Sequence, residues 1–171
     1  MLLRSAKYWM AAVLLTAAAG CFNYSFTGTS IPSDVNTVYL PFFEDRSGGG
    51  LGDISDRLNR SLINRFVNQS RLSMTNNQDG ADAVVQGVIQ SYQDRPFSVG
   101  GDEQADLNEV AISVRASFRY ADDEEPLWDK NFTGTATYDV RENPVDGEVA
   151  AAEAALQQIA NNMFNDAVSN W

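Results

Sequence analysis

The stretch Glu109-Val110-Ala111-Ile112-Ser113-Val114-Arg115-Ala116-Ser117-Phe118-Arg119-Tyr120 decides the fold. Val110, Ile112, Val114, Ala116, Phe118 and Tyr120 fall on one side of an extended chain. Glu109, Ser113, Arg115, Ser117 and Arg119 fall on the other. Side chains along a strand alternate between two faces, so the pattern is a half-buried strand of an antiparallel sheet. At about 3.4 Å per residue it runs roughly 40 Å, where about 5–6 residues is usual. Such a strand needs long neighbours and an apolar layer over its Val/Ile/Phe side.

Both requirements are met in the flanking sequence. After the acidic turn Asp122-Asp123-Glu124-Glu125-Pro126, Trp128 to Tyr138 is a strand with Phe132, Gly134, Ala136 and Tyr138 on one face. Upstream, Ala83, Val85, Gly87 and Ile89 share a face of a strand that runs to about Tyr92. A loop from Asp94 to Asp106, marked by Pro96 and Gly100-Gly101, follows it. Val35 to Phe43 is a β-rich run in which Pro41 indicates an edge or an end, and Leu72 to Met74 is a short extended piece. Two amphipathic helices supply the covering layer. The first, from about Asp53 to Gln69, repeats Ile54, Leu58, Leu62 and Phe66, widened by Ile63 and Val67, with Arg57, Arg60 and Arg65 off the stripe. The second, Glu148 to Ser169, carries Val149, Ala152, Leu156, Ile159 and Met163 at helical spacing. The order β-α-β-β-β-α gives the expectation of a single α+β domain over residues 35–171. Two helices would lie on one face of a four-stranded, largely antiparallel sheet. The other face, with Gln86, Gln90, Arg115, Arg119 and Thr133, is left polar.

The N-terminus follows a different logic. Arg4 and Lys7 precede an uncharged run from Tyr8 to Ala17, and Ala18-Ala19-Gly20 leads into Cys21, the single cysteine. Charged start, short apolar run and small residues are the layout of a secretory signal peptide. The run is shorter than the about 20 apolar residues a membrane span needs. Cleavage before Cys21 is expected, with residues 1–20 as signal peptide and 21–34 as a tether. Lipid on the Cys21 thiol would anchor the chain to a membrane, stably so with two or more acyl chains. An ordinary signal peptide with an incidental cysteine is the plainer alternative.

Composition narrows the chemistry. The chain has 12 basic and 23 acidic residues and a formal net charge of −11, which becomes −13 once Arg4 and Lys7 are removed. That balance argues against nucleic acid as a partner. With no histidine, the usual triads and zinc sites are excluded. The carboxylates fall in turns (Glu44/Asp45, Asp102/Glu103, Asp122 to Glu125), where solvated faces are the ordinary outcome. The glycines at 48–52 lack the Lys-Ser/Thr that completes a phosphate loop. No enzyme, metal or cofactor is expected. Arg115 and Arg119 on one strand face, with Arg95 in the adjoining loop, form a candidate site for phosphate groups. Pairing with nearby Asp and Glu is the alternative.

Taken together, the small-residue run before the cysteine and the segment Cys21-Phe22-Asn23-Tyr24-Ser25-Phe26-Thr27-Gly28-Thr29-Ser30-Ile31-Pro32 resemble the LptE lipopolysaccharide-assembly lipoproteins. So do the β-α-β-β-β-α order and the ending Asn162-Met163-Phe164-Asn165-Asp166-Ala167-Val168-Ser169-Asn170-Trp171. The resemblance implies an outer-membrane lipoprotein on the periplasmic face. It would be lodged as a plug in the LptD β-barrel and would take part in inserting lipopolysaccharide, a ligand that family is credited with binding through basic residues. No family motif matches Arg95, Arg115 or Arg119, which rest on charge and placement. Phe22 after the cysteine, where aspartate would resemble an inner-membrane retention signal, agrees with that address. A second resemblance competes: Val38-Tyr39-Leu40-Pro41-Phe42-Phe43-Glu44-Asp45-Arg46-Ser47-Gly48 is similar to the first strand and loop of CsgG-like and LpoB-like lipoproteins. Those are a secretion-pore subunit and an activator of peptidoglycan synthases.

Overall fold

The computed structural model describes residues 31–97, 107–142 and 144–169. Its centre is a meander of three long antiparallel strands: β4 (Ala83–Phe97), β5 (Leu107–Tyr120) and β6 (Trp128–Asp139). The alternation in β5 is realised as read. Val110, Ile112 and Val114 are completely buried, and Ala116, Phe118 and Tyr120 join them in the core. Helix α1 (Ile54–Ile63) and helix α2 (Asp146–Ser169) pack against the sheet's apolar side, and α2 contacts β5 and β6 directly. Ile31 and Val35 add to the same core.

The sheet is larger and more mixed than the sequence suggested. Among the described residues six strands form it, with β1 (Thr37–Tyr39) between β3 (Ser73–Thr75) and β4, and β2 (Glu44–Asp45) paired to β4 further along. The three pairings made by the short strands, β1 with β3, β1 with β4 and β2 with β4, are parallel, whereas β4 with β5 and β5 with β6 in the meander are antiparallel. The four-stranded, largely antiparallel expectation is therefore corrected to a six-stranded mixed sheet. The reason is local. Three-residue and two-residue strands are too short to display an alternation, and parallel pairing is set by a helical crossover, here α1. Pro41 divides the expected first strand. It has no N–H to give the ladder, and the chain loses one residue of register around it: Val38 lies opposite Ala83 and Glu44 opposite Val88.

Strand β4 departs from expectation at its far end. The register shifts between Ile89 and Ser91, leaving Gln90 as an extra residue. The alternation then changes phase, so Tyr92 and Asp94 pair with the core-facing Ile112 and Val110, while Arg95 pairs with Glu109. Asp94 to Phe97, expected in a loop, are strand. Pro96 is tolerated because, among the described residues, β4 beyond Ile89 pairs only with β5. The remainder of that expected loop, 98–106, lies outside the described residues.

Helix geometry explains how α1 keeps its stripe. Each four-residue step overshoots a 3.6-residue turn by about 40°, so Ile54, Leu58 and Leu62 drift round the helix. The turn then widens at Asn64–Asn68 into a π-helical segment, which absorbs the drift and returns Phe66 to complete burial. Phe66 meets Phe164 of α2 edge-on at 5.2 Å and Phe118 of β5 at 6.4 Å. Trp128 and Phe132 extend the aromatic cluster along β6.

Helix α2 lies close to the sheet because half of its buried residues are alanine: Ala151, Ala152, Ala155, Ala160 and Ala167. The approach is tightest at Gly134, where a Cβ would stand 2.1 Å from the carbonyl oxygen of Ala155. Gly134→Ala is therefore expected to force α2 away from β6 and cost about 1–3 kcal/mol, the range for overpacking a core. A urea midpoint unchanged from that of the parent protein would contradict this packing.

Candidate functional site

The helices cover one side of the sheet, and no described element covers the other. On β5 and β6 that open side is built from short side chains: Ala111, Ser113 and Ser117, facing Thr135, Thr133 and Asp129 in register. Across β5 lie Gln86, Val88, Ser91 and Gln93 of β4. The result is a polar surface with few long side chains, except where arginine stands out.

All three candidate arginines occupy this side. Arg95 donates through Nη2 and Nε to Glu109 Oε1 at 2.7 and 3.1 Å. Arg115 donates through Nε and Nη2 to the two carboxylate oxygens of Asp129 at 3.1 and 3.3 Å, beside a shallow hollow of about 340 Å³ lined by Gln86, Val88 and Ser117. Arg119 donates from Nη1 to the carbonyls of Tyr120, Ala121 and Asp123, fastening the β5–β6 turn. They do not converge. Arg95 sits opposite Glu109, six residues from Arg115 and so roughly 20 Å away, and Arg115 and Arg119 are about 14 Å apart along β5. The expected grouping of Arg115 and Arg119 on one face is present, but each is engaged with its own partner, and Arg95 stands in β4 rather than in a loop. Cys21 lies outside the described residues.

The opposite side offers a polar groove of about 510 Å³ between α1 and α2. Arg57 and Arg60 line one wall and Glu153 and Gln157 the other. Arg57 bridges it, donating to Glu153 and to Asp53. Among the described residues no group of three or more Cys, Asp or Glu side chains is placed to hold a metal ion. Among them, no helix is long and apolar enough to cross a membrane.

One cluster escaped the sequence reading. Past the Gln90 bulge, the Tyr92 hydroxyl donates to Glu148 at 2.8 Å and the Tyr138 hydroxyl to Asp94 at 2.7 Å, with Asn108 donating to the other Asp94 oxygen at 2.9 Å. The two bonds to Asp94 tie the three strands together at the far end of the meander, and that of Tyr92 ties this end to the start of α2. No local signal marks them, because they depend on the phase change at Gln90. Burial, reinforced by the negative charge of Asp94 at Tyr138 and of Asp123 at Tyr120, pushes both phenols up to about 12. The same causes, burial first and Glu148 next, raise Tyr92.

The sequence model of the LptE family, described as lipopolysaccharide assembly, matches residues 35–170. No curated protein matches the chain. Among solved structures, a protein from Xanthomonas campestris superposes with a TM-score of 0.56 at 12% identity, covering 80% of this chain and 84% of its own. A minor lipoprotein from Acinetobacter baumannii gives 0.53 at 12% identity, covering 79% and 94%. An uncharacterised lipoprotein B from Nitrosomonas europaea gives 0.53 at 15% identity, covering 86% and 90%. At these identities the likeness is one of fold.

The tyrosines set an alkaline limit. Their folded-state values exceed the ordinary value of about 10, so their contribution to stability is complete below that pH and lost as pH rises from about 10 through about 12. Unfolding free energy measured across this window is expected to fall, less steeply in Tyr138→Phe. A flat profile would show that these phenols ionise equally in both states.

Proposed function

The chain belongs to the LptE lipopolysaccharide-assembly family, and from that premise we propose that it serves as the lipid-anchored, non-catalytic plug and assembly partner of an LptD-type outer-membrane β-barrel. Lipid on Cys21 would hold it at the periplasmic face of the outer membrane, and the barrel would receive the domain. The observation that carries this reading is the uncovered side of β4–β6. A partner wall can lie flat on Ser, Thr and Ala side chains, with Arg95, Glu109, Arg115 and Asp129 supplying orientation through charge.

The three arginines are also proposed as contacts for the anionic groups of lipopolysaccharide. Spaced as they are, they would meet separate phosphates rather than grip one. Arg95, itself exposed, would meet a phosphate without leaving the largely buried Glu109, and Arg115 would exchange the exposed carboxylate of Asp129 for the ligand. An exposed pair of this kind contributes at most about 1 kcal/mol, so the exchange is not costly.

Affinity purification of the tagged protein from its membrane is expected to recover one large β-barrel protein. Recovery of a peptidoglycan synthase alone, or of a ring of identical subunits, would support the CsgG-like and LpoB-like alternative instead. For the ligand, Arg115→Asp is expected to weaken binding of purified lipopolysaccharide while leaving the circular dichroism spectrum unchanged. Equal binding would remove Arg115 from the site.

A further inference from the structure

The point where the tether joins the domain is built with more polar contacts than chain continuity requires. The Arg71 guanidinium, just past α1, donates from Nη2 to the Ile31 carbonyl at 2.9 Å and to that of Pro32. From Nη1 it donates to the Ser33 carbonyl at 3.2 Å and to Asn36 Oδ1 at 3.4 Å. Ile31 itself is buried in the core. On the other side of the segment, Asp82 accepts the backbone N–H of Asn36 at 2.8 Å, and the N–H and hydroxyl of Thr37 at 2.9 Å each. These donors hold the Asp82 carboxyl below the usual range. A bond from Val35 N–H to the Pro32 carbonyl at 3.1 Å closes the turn between them. One cation and one anion, neither spent on the other, thus immobilise residues 31–37.

This joint sits at one end of the sheet. Pro32, Asp34 and Val35 share a recess with Asp82, Tyr120 and Asp122, and Ala83 pairs with Tyr120 at the same end. The opposite end, where Phe97 pairs with Leu107 and Leu107 with Asp139, is 13 residues away along β5, about 44 Å at 3.4 Å per residue.

We infer that Arg71 is a tether clasp: it fixes where the lipid-bearing segment leaves the domain and so makes the Asp34/Asp122 end the pole that faces the lipid surface. The inference rests on the proposed lipid anchor. From Cys21 to Ile31 is ten residues, which reach about 35 Å at full extension. Releasing residues 31–36 would add six more, about 20 Å of slack. With the clasp closed, the tether is shorter than the sheet is long, so the two ends of the domain cannot exchange places at the bilayer at equal cost. Arg71 acts as a positioning residue, through the backbone it holds.

The test uses the full lipidated chain on vesicles of phosphatidylethanolamine and phosphatidylglycerol that carry a headgroup energy acceptor. With Cys21 modified, Asp122→Cys and Glu142→Cys each provide a single thiol for a donor dye, one at each end of the sheet. Energy transfer is expected to be several-fold higher from position 122 than from 142. Adding Arg71→Ala should shrink that ratio, and Arg71→Lys, which retains the charge but not the fork, should do so less. Equal or reversed transfer in the parent, or an Arg71→Ala ratio unchanged while the chain stays folded and bound, would overturn the inference. Vesicle flotation separates the two readings: failure of the chain to float refutes the anchor, whereas flotation with the wrong transfer pattern refutes the clasp alone.

Discussion

The burial of one side of β5 against α2 is the contact on which the rest of the molecule depends. Val110, Ile112, Val114, Ala116, Phe118 and Tyr120 present a continuous apolar stripe, and only a long helix laid close to the sheet can cover it. That closeness requires the alanine side of α2 and the missing side chain at Gly134. Helix α1 then fills the space left beside α2 through Phe66, while the short strands β1, β2 and β3 extend the sheet on the far side of β4. Each side chain committed inward on β5 places its neighbour outward, so the same alternation that builds the core also builds the polar surface.

How much of this was legible in the sequence follows from length and periodicity. The long strands and both helices announce themselves through repeats of two or of three to four residues, and the buried stripes fall on the residues those repeats select. What escaped depends on contacts distant in sequence. The parallel pairing of β1 with β3 and β4 involves three-residue runs with no pattern of their own. The Gln90 bulge is invisible without its partner strand, yet it moves Tyr92 and Asp94 onto the helix side. Of the candidate site, the side of the sheet carrying Arg115 and Arg119 was readable from alternation. The bond of Arg115 to Asp129, and of Arg119 to three turn carbonyls, was not. Arg71 offered no sequence signal, because its partners are mostly backbone carbonyls some forty residues away.

In a protein with 23 acidic residues and 12 basic ones, the arginines are mostly engaged in holding structure. Arg57 spans the two helices, Arg71 holds the start of the domain, and Arg119 holds a turn. An acidic protein built in this way binds partners by shape and by local pairing rather than by a broad field. A sheet side of short polar residues would suit the proposed barrel wall, with the ion pairs on that side orienting it and the tether joint setting which end faces the lipid.

Docking through the open side of the sheet is tested by site-specific photocrosslinking in cells, with a photoreactive residue at Ser113 on that side or at Gln157 on the outer side of α2. Ser113 is expected to capture the proposed barrel partner efficiently and Gln157 much less. Capture confined to Gln157, or equal capture at both, would contradict docking through the open side of the sheet.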